Sequence, residues 1–225
     1  MIIKEPMMNC FRTMVIVLTI MCSGPAFSQA WIDYYSSTDD FRIHTPGEFE
    51  ITEIAYPSEY GVELPARVYS YEPGGDHYIV TVVDYTQAER LHAERSRNEA
   101  EYLLYWEIDI RASVAYAATN FRQRGGEITY DAYHYIDRIE GHQLQITNED
   151  KSRTYAAVYL HDSRLYIVEA TVEPGSLPPG FFQQSLQFMD ENGVRIRYED
   201  FLEANKVRKS CGGVQEGIAC NDWTR

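Results

Sequence analysis

The chain has 225 residues, 34 of them acidic and 20 basic, for a formal net charge of −14 at pH 7. That length holds one domain with a sizeable core, which the hydrophobic 44% of the residues can supply. So acidic a balance argues against nucleic acid and against adhesion to anionic membrane surfaces, both of which need basic patches.

Residues 1–30 have the order of a signal peptide. Lys4 and Arg12 give a positive start, and Met14 to Met21 form an apolar run too short for a comfortable membrane span. Ser28-Gln29-Ala30 places small residues where a signal peptidase reads. Cleavage after Ala30 predicts a periplasmic or secreted protein that starts at Trp31 and has no transmembrane span. An uncleaved anchor is one alternative. A lipoprotein is another, although Met21 stands before Cys22 where a lipidation signal has a small residue.

Residues 31–40 are a polar lead-in. Phe41 to His44 alternates as a short strand that Thr45-Pro46-Gly47 breaks, and Phe49 to Tyr56 and Ala66 to Tyr71 follow as strands around the Pro57–Gly61 turn. Pro73-Gly-Gly-Asp76 returns the chain into Tyr78–Thr86. There Ile79, Val83 and Tyr85 point one way and Tyr78, Val80 and Val82 the other, so this strand is central and covered on both faces. Connections this short make neighbouring strands antiparallel.

After Thr86 the period changes. A turn or two of helix is expected from Ala88. Ile110, Val114, Ala117, Ala118 and Phe121 then recur at helical spacing, with Asp109 placed to cap and Gly125-Gly126 to stop the helix. Ile128–Asp137 and His142–Asn148 are expected strands about a Glu140-Gly141 turn. Thr154–Leu160 and Leu165–Val172 form a hairpin about His161-Asp-Ser-Arg164. Phe182, Leu186 and Met189 predict a closing helix over Phe181–Asp190, and Val194–Tyr198 is a last strand or an extended tail.

The expected architecture is α+β, an antiparallel β-sheet flanked by helices. It comprises residues 1–30 as signal peptide, 31–203 as one domain and 204–225 as a C-terminal tail. Of four cysteines, Cys10 and Cys22 leave with the leader. Cys211 and Cys220 form an even pair in an exported chain, which predicts a disulfide closing a glycine-rich loop; the spacing is a poor zinc site.

This order of elements, with Phe41-Arg-Ile-His-Thr-Pro-Gly-Glu-Phe49 at its start and Arg164-Leu-Tyr-Ile167 in the late hairpin, resembles the PsbP-like family. Ser58-Glu-Tyr-Gly-Val-Glu-Leu-Pro-Ala-Arg67 resembles uncharacterised secreted proteobacterial proteins. The resemblance spans most of Phe41 to Met189. It implies a sheet-and-helix sandwich and action through protein partners, and it brings no active site to carry over.

Among residues able to do chemistry, His134, Asp137, Glu140 and His142 cluster within Tyr133–His142. Imidazoles and carboxylates could bind a divalent metal, but the spacing matches no established site and exposed hairpin residues explain it better. His92 falls in a run with Arg90, Glu94, Arg95 and Arg97, which reads as a solvated helix face. Asp84, near the end of the central strand, is a cleft acid or a strand-end acid bonded to nearby backbone; the second is favoured. Gly-x-Ser-x-Gly, His-Glu-x-x-His and the phosphate-binding glycine loop are absent. No catalytic, cofactor or metal residue is assigned.

Eighteen tyrosines suit half-buried sheet faces and binding surfaces alike. The reading is an exported non-catalytic domain that binds another envelope protein through an exposed aromatic patch. The alternatives are a hydrolase-like enzyme with a dispersed site, which needs a cavity holding His against a carboxylate, and an acidic metal or small-ligand binder.

Overall fold

A computed structural model describes residues 31–95 and 99–207, and of residues 99–104 the backbone alone. The expected signal peptide over residues 1–30 and the expected Cys211–Cys220 disulfide lie outside the described residues.

The fold is mixed α+β, two antiparallel sheets with a few helices. Seven strands make the large sheet: β3 (Glu50–Pro57), β4 (Glu63–Tyr71), β5 (His77–Asp84), β6 (Glu127–Ile136), β7 (Ile139–Thr147), β8 (Arg153–His161) and β9 (Arg164–Val172), in the order β3-β4-β5-β9-β8-β7-β6. β1 (Ile32–Ser36), β2 (Phe41–Thr45) and β10 (Gln187–Phe188) make the small one, in the order β1-β2-β10. The helices are α1 (Ala88–Arg95), α2 (Glu99–Gln123), α3 (Gly180–Gln184) and α4 (Phe201–Ala204). No described helix is long and apolar enough to cross a membrane.

Burial on both faces of β5 is the organising fact. Tyr78, Val80 and Val82 enter one core with Phe41, Phe182 and Phe188. Val83 and Tyr85 enter the other with Trp106, Ile110, Ala117 and Phe121 of α2. β5 lies between β4 and β9, so its ladder is satisfied on both sides. Pro65 sits opposite Ala55 of β3, one residue before the β4–β5 pairing begins at Ala66, so its missing N–H interrupts no bond to β5.

Several expectations need correction. The polar lead-in contains β1, paired to β2 from Ile32 opposite Thr45 to Ser36 opposite Phe41. Its exposed side is polar, which hides the inward Tyr34, packed edge-on against Phe49. The closing helix is only α3. Its second half leads into β10, which pairs with β2 with Phe188 opposite Phe41, and both Leu186 and Phe188 are buried there. The β6–β7 turn is at Asp137-Arg138, both in the left-handed region at φ 49° and 72°, and not at Glu140-Gly141. Gly141 is inside β7, where a Cβ would overlap the Tyr159 ring and the Val158 carbonyl. Of the two readings of Val194–Tyr198 the extended tail holds: an isolated bridge pairs Arg195 with Met189, Ile196 N donates to the Phe188 carbonyl at 2.9 Å, and the Tyr198 hydroxyl lies 2.8 Å from His161 Nε2. Ala204 and Val207 are buried in the two cores, so packing runs on to Val207.

Candidate site at the β6 edge of the large sheet

A half-open cavity of about 380 Å³ lies where α2, the β6–β7 hairpin and residues 205–207 meet. Each wall follows from local geometry. Arg111, Val114, Ala118 and Arg122 recur every three or four residues along one flank of α2. Glu140 and His142 alternate on β7 toward the same side, with Tyr135 and Tyr133 opposite them on β6. The third wall depends on α4, whose N-cap Asp200 accepts from Leu202 N at 2.7 Å and Glu203 N at 3.1 Å. Asn205 then clamps the segment to the hairpin: its Nδ2 donates to the Arg138 carbonyl at 2.9 Å, and its Oδ1 accepts from Glu140 N at 2.7 Å.

Arg122 donates through Nε and Nη2 to both oxygens of Asp131, at 2.7 and 2.8 Å. That pairing, helped by His142 and opposed by desolvation, lowers the Asp131 carboxyl to about 2. His142 Nε2 meets Asp131 Oδ1 and lies 3.0 Å from Arg122 Nη2. One nitrogen serves one of them at a time. As N–H it donates to the carboxylate; as a bare nitrogen it accepts from the guanidinium. The Tyr133 ring stands edge-on to the imidazole, 5.3 Å between centroids.

His134, Asp137, Glu140 and His142 are not brought together. His134 is on the opposite face, in a chain where Gln143 Nε2 donates to Tyr159 Oη at 3.2 Å and that hydroxyl is hydrogen-bonded to His134 Nδ1 at 2.8 Å. Asp137 accepts from Arg195 Nε at 2.8 Å. Only Glu140 and His142 share the cavity. Among the described residues, no group of three or more His, Cys, Asp or Glu could hold a metal ion.

Burial lowers the His134 pKa below its ordinary 6.5. The unfolded chain takes up this proton first, so stability is full above about pH 6.5 and falls as pH drops below it. The melting temperature is therefore expected to fall between pH 7.5 and pH 5 by less in His134→Gln than in the parent. Equal falls would show that His134 carries none of the pH dependence.

A second site, closed to solvent, escaped the sequence reading. His92 of α1 is buried, and its Nε2 meets Asp109 Oδ2 of α2 at 2.9 Å. Asp109 is 0% exposed; it lies inside the helix, on the buried side with Ile110 and Ser113, and caps nothing. Its Oδ1 and the Tyr85 hydroxyl are buried with no hydrogen-bond partner. Burial first, then the field of Asp109, pushes the Tyr85 phenol far up, and burial with Tyr116 and Asp109 raises Tyr56 to about 12. The solvated-face reading holds for Arg90, whose Nη1 pairs with Glu94 at 2.5 Å, and fails for His92. A buried histidine at an i, i+4 step from Ala88 was the available signal. Asp84 is the strand-end acid, accepting from Thr86 N at 2.8 Å.

The tyrosines divide. Tyr69, Tyr85, Tyr159 and Tyr166 are fully buried, whereas Tyr133 is 82% and Tyr135 53% exposed. Tyr135 packs against Phe201, and Leu202 of α4 is 74% exposed. Tyr133 and Tyr135 lie on β6, the strand that ends the sheet, and Phe201 and Leu202 on the neighbouring α4.

The chain is thus a two-sheet antiparallel α+β domain with an aromatic-rimmed cavity at one edge. In comparisons with known proteins, no family model matches it, and a search of curated proteins finds no match.

Proposed function

We propose that the protein is an exported, non-catalytic domain that binds another envelope protein through the β6 edge. The carrying observation is the character of that edge. β6 is ten residues long. From Tyr130 to Ile136 its sole charge is Asp131, which Arg122 already neutralises. The other open edge, β3, carries exposed Glu50, Glu53 and Pro57, devices that discourage strand addition. On β6 such guards stand at one end only, the exposed Glu127 and the irregular register between Ile128 and Tyr130; the stretch beyond, flanked by Tyr133, Tyr135, Phe201 and Leu202, suits an extended partner segment: main-chain bonds give affinity and the aromatics give selectivity. The PsbP-like resemblance, a family acting through protein partners, supports the same reading. The leader pattern of residues 1–30 supports export.

A hydrolase-like reading has one observation in its favour, the contact of His142 with Asp131 in the cavity. Against it, the described lining carries no serine, threonine or cysteine to act as nucleophile.

The test is capture of crosslinked partners from envelope extract by the parent and by Tyr133→Ala/Tyr135→Ala. One dominant partner held by the parent, and reduced at least about tenfold in the variant, is expected. A partner retained equally by both would refute the assignment of this edge.

A further inference from the structure

We infer that the cavity beside β6 is a binding site for a small amphiphilic monoanion, a carboxylate carrying a short aliphatic chain. This does not rest on the protein-binding reading, because it uses the cations and apolar groups inside the cavity, which Tyr133 of the strand edge borders.

Charge comes first. In a chain with 34 acidic and 20 basic residues, the lining carries Arg111, Arg122, Lys206 and His142 against a single acid, Glu140. Each of the three permanent cations is paired with an acid outside the lining: Arg111 with Glu107, Arg122 with Asp131 and Lys206 with Glu203. Arg111 spends Nε and Nη2 on Glu107, and Arg122 spends Nε and Nη2 on Asp131. Nη1 of each takes no part in those pairs, and a guanidinium that already holds one carboxylate can donate to a second through its remaining edge.

Shape comes second. Most of the rest of the lining is apolar: Val114, Ala115 and Ala118 from α2, Leu160 from β8, and Val207, with Gly141, the Tyr133 ring and Asn205 completing it. At about 380 Å³ the cavity falls in the range of small-molecule sites, roughly 300–1,000 Å³. An apolar body there with cations at its margin selects a molecule of the same division. The net charge of −14 penalises each further negative charge on the ligand, which favours a monoanion over a phosphate.

The experiment is an NMR titration of the whole protein with octanoate, octylammonium, octanol and acetate, each to about 10 mM. Octanoate is expected to shift the methyl signals of Val114, Ala118, Leu160 and Val207 saturably, and the other three are not. Arg111→Gln/Lys206→Gln should weaken octanoate about tenfold, by loss of charged hydrogen bonds. Ala115→Trp, made at an exposed position of the lining, should abolish binding while the spectrum stays dispersed and partner capture through Tyr133 and Tyr135 is kept. Equal response to octylammonium, octanol or acetate, no response to octanoate, or binding unchanged in both variants would overturn the proposal. Loss of capture in Tyr133→Ala/Tyr135→Ala would leave it untouched.

Discussion

Replacing His92 by leucine is expected to destabilise the protein by about 3–5 kcal/mol. Among the described residues the imidazole is the single hydrogen-bond partner of a carboxylate that has no exposure to solvent: Asp109 Oδ2 meets His92 Nε2 at 2.9 Å, and Asp109 Oδ1 has none. Leucine would fill much of the same volume and leave the acid wholly uncompensated, which costs more than losing an exposed pair. The two residues lie on α1 and α2, so the loss also uncouples α1 from the helix that covers one sheet face. His92→Leu/Asp109→Leu removes both polar groups, and is expected to recover most of the stability even though His92→Leu alone is severe. Urea unfolding of the parent, both single variants and the double variant gives the coupling directly. A loss below about 1 kcal/mol for His92→Leu would mean the pair is not buried as described.

Phe41→Ala is expected to cost a similar amount, about 3–5 kcal/mol, through cavity formation. Phe41 is 0% exposed. Its ring stands edge-on to Tyr69 at 5.0 Å and to Tyr166 at 6.3 Å between centroids, so one side chain of β2 fastens the small sheet onto the face of the large one. The same junction is tied by polar groups. Arg67 Nε donates to Asp39 Oδ2 at 2.7 Å, Tyr69 Oη donates to that oxygen at 2.5 Å, and Tyr166 Oη donates to the Asp39 carbonyl at 2.9 Å. A void under Phe41 cannot collapse without breaking this network, so the cost belongs at the upper end of the range. Phe41→Leu, which keeps most of the volume, should cost clearly less; equal effects in urea unfolding would show that packing is not the cause.

What was legible in the sequence tracks how strongly each segment declares its burial. β5 was plain because apolar residues on both of its faces admit few other readings. The β8–β9 hairpin was plain because two alternating runs flank a short polar turn. Asp109 was misread because an acid just before an apolar helical run looks like a cap, while the helix in fact begins at Glu99. The Glu- and Arg-rich surroundings of His92 conceal an imidazole that turns inward with Ala88 and Leu91. Gly141 suggested a turn because glycine signals both turns and close approach, and the Tyr159 ring that requires it lies 18 positions away in another strand. For the candidate site the obstacle was the tyrosines. Pattern alone does not separate Tyr159, sealed in the core, from Tyr133, open to solvent, because both alternate along strands. The cavity was illegible for a different reason: its walls come from α2, β7 and residues 205–207, which only the tertiary fold assembles.

The central claim is that β6 is the partner-binding edge, and site-specific photocrosslinking in the producing cells tests it most directly. A photoreactive residue would be placed in turn at Tyr133 and Tyr135 of β6 and at Ile51 and Ile54 of β3, which are all exposed. The account predicts one recurrent adduct from both β6 positions, absent from both β3 positions and mapping to an extended segment of the partner. Adducts from β3 alone, or the same adducts from both edges, would contradict it.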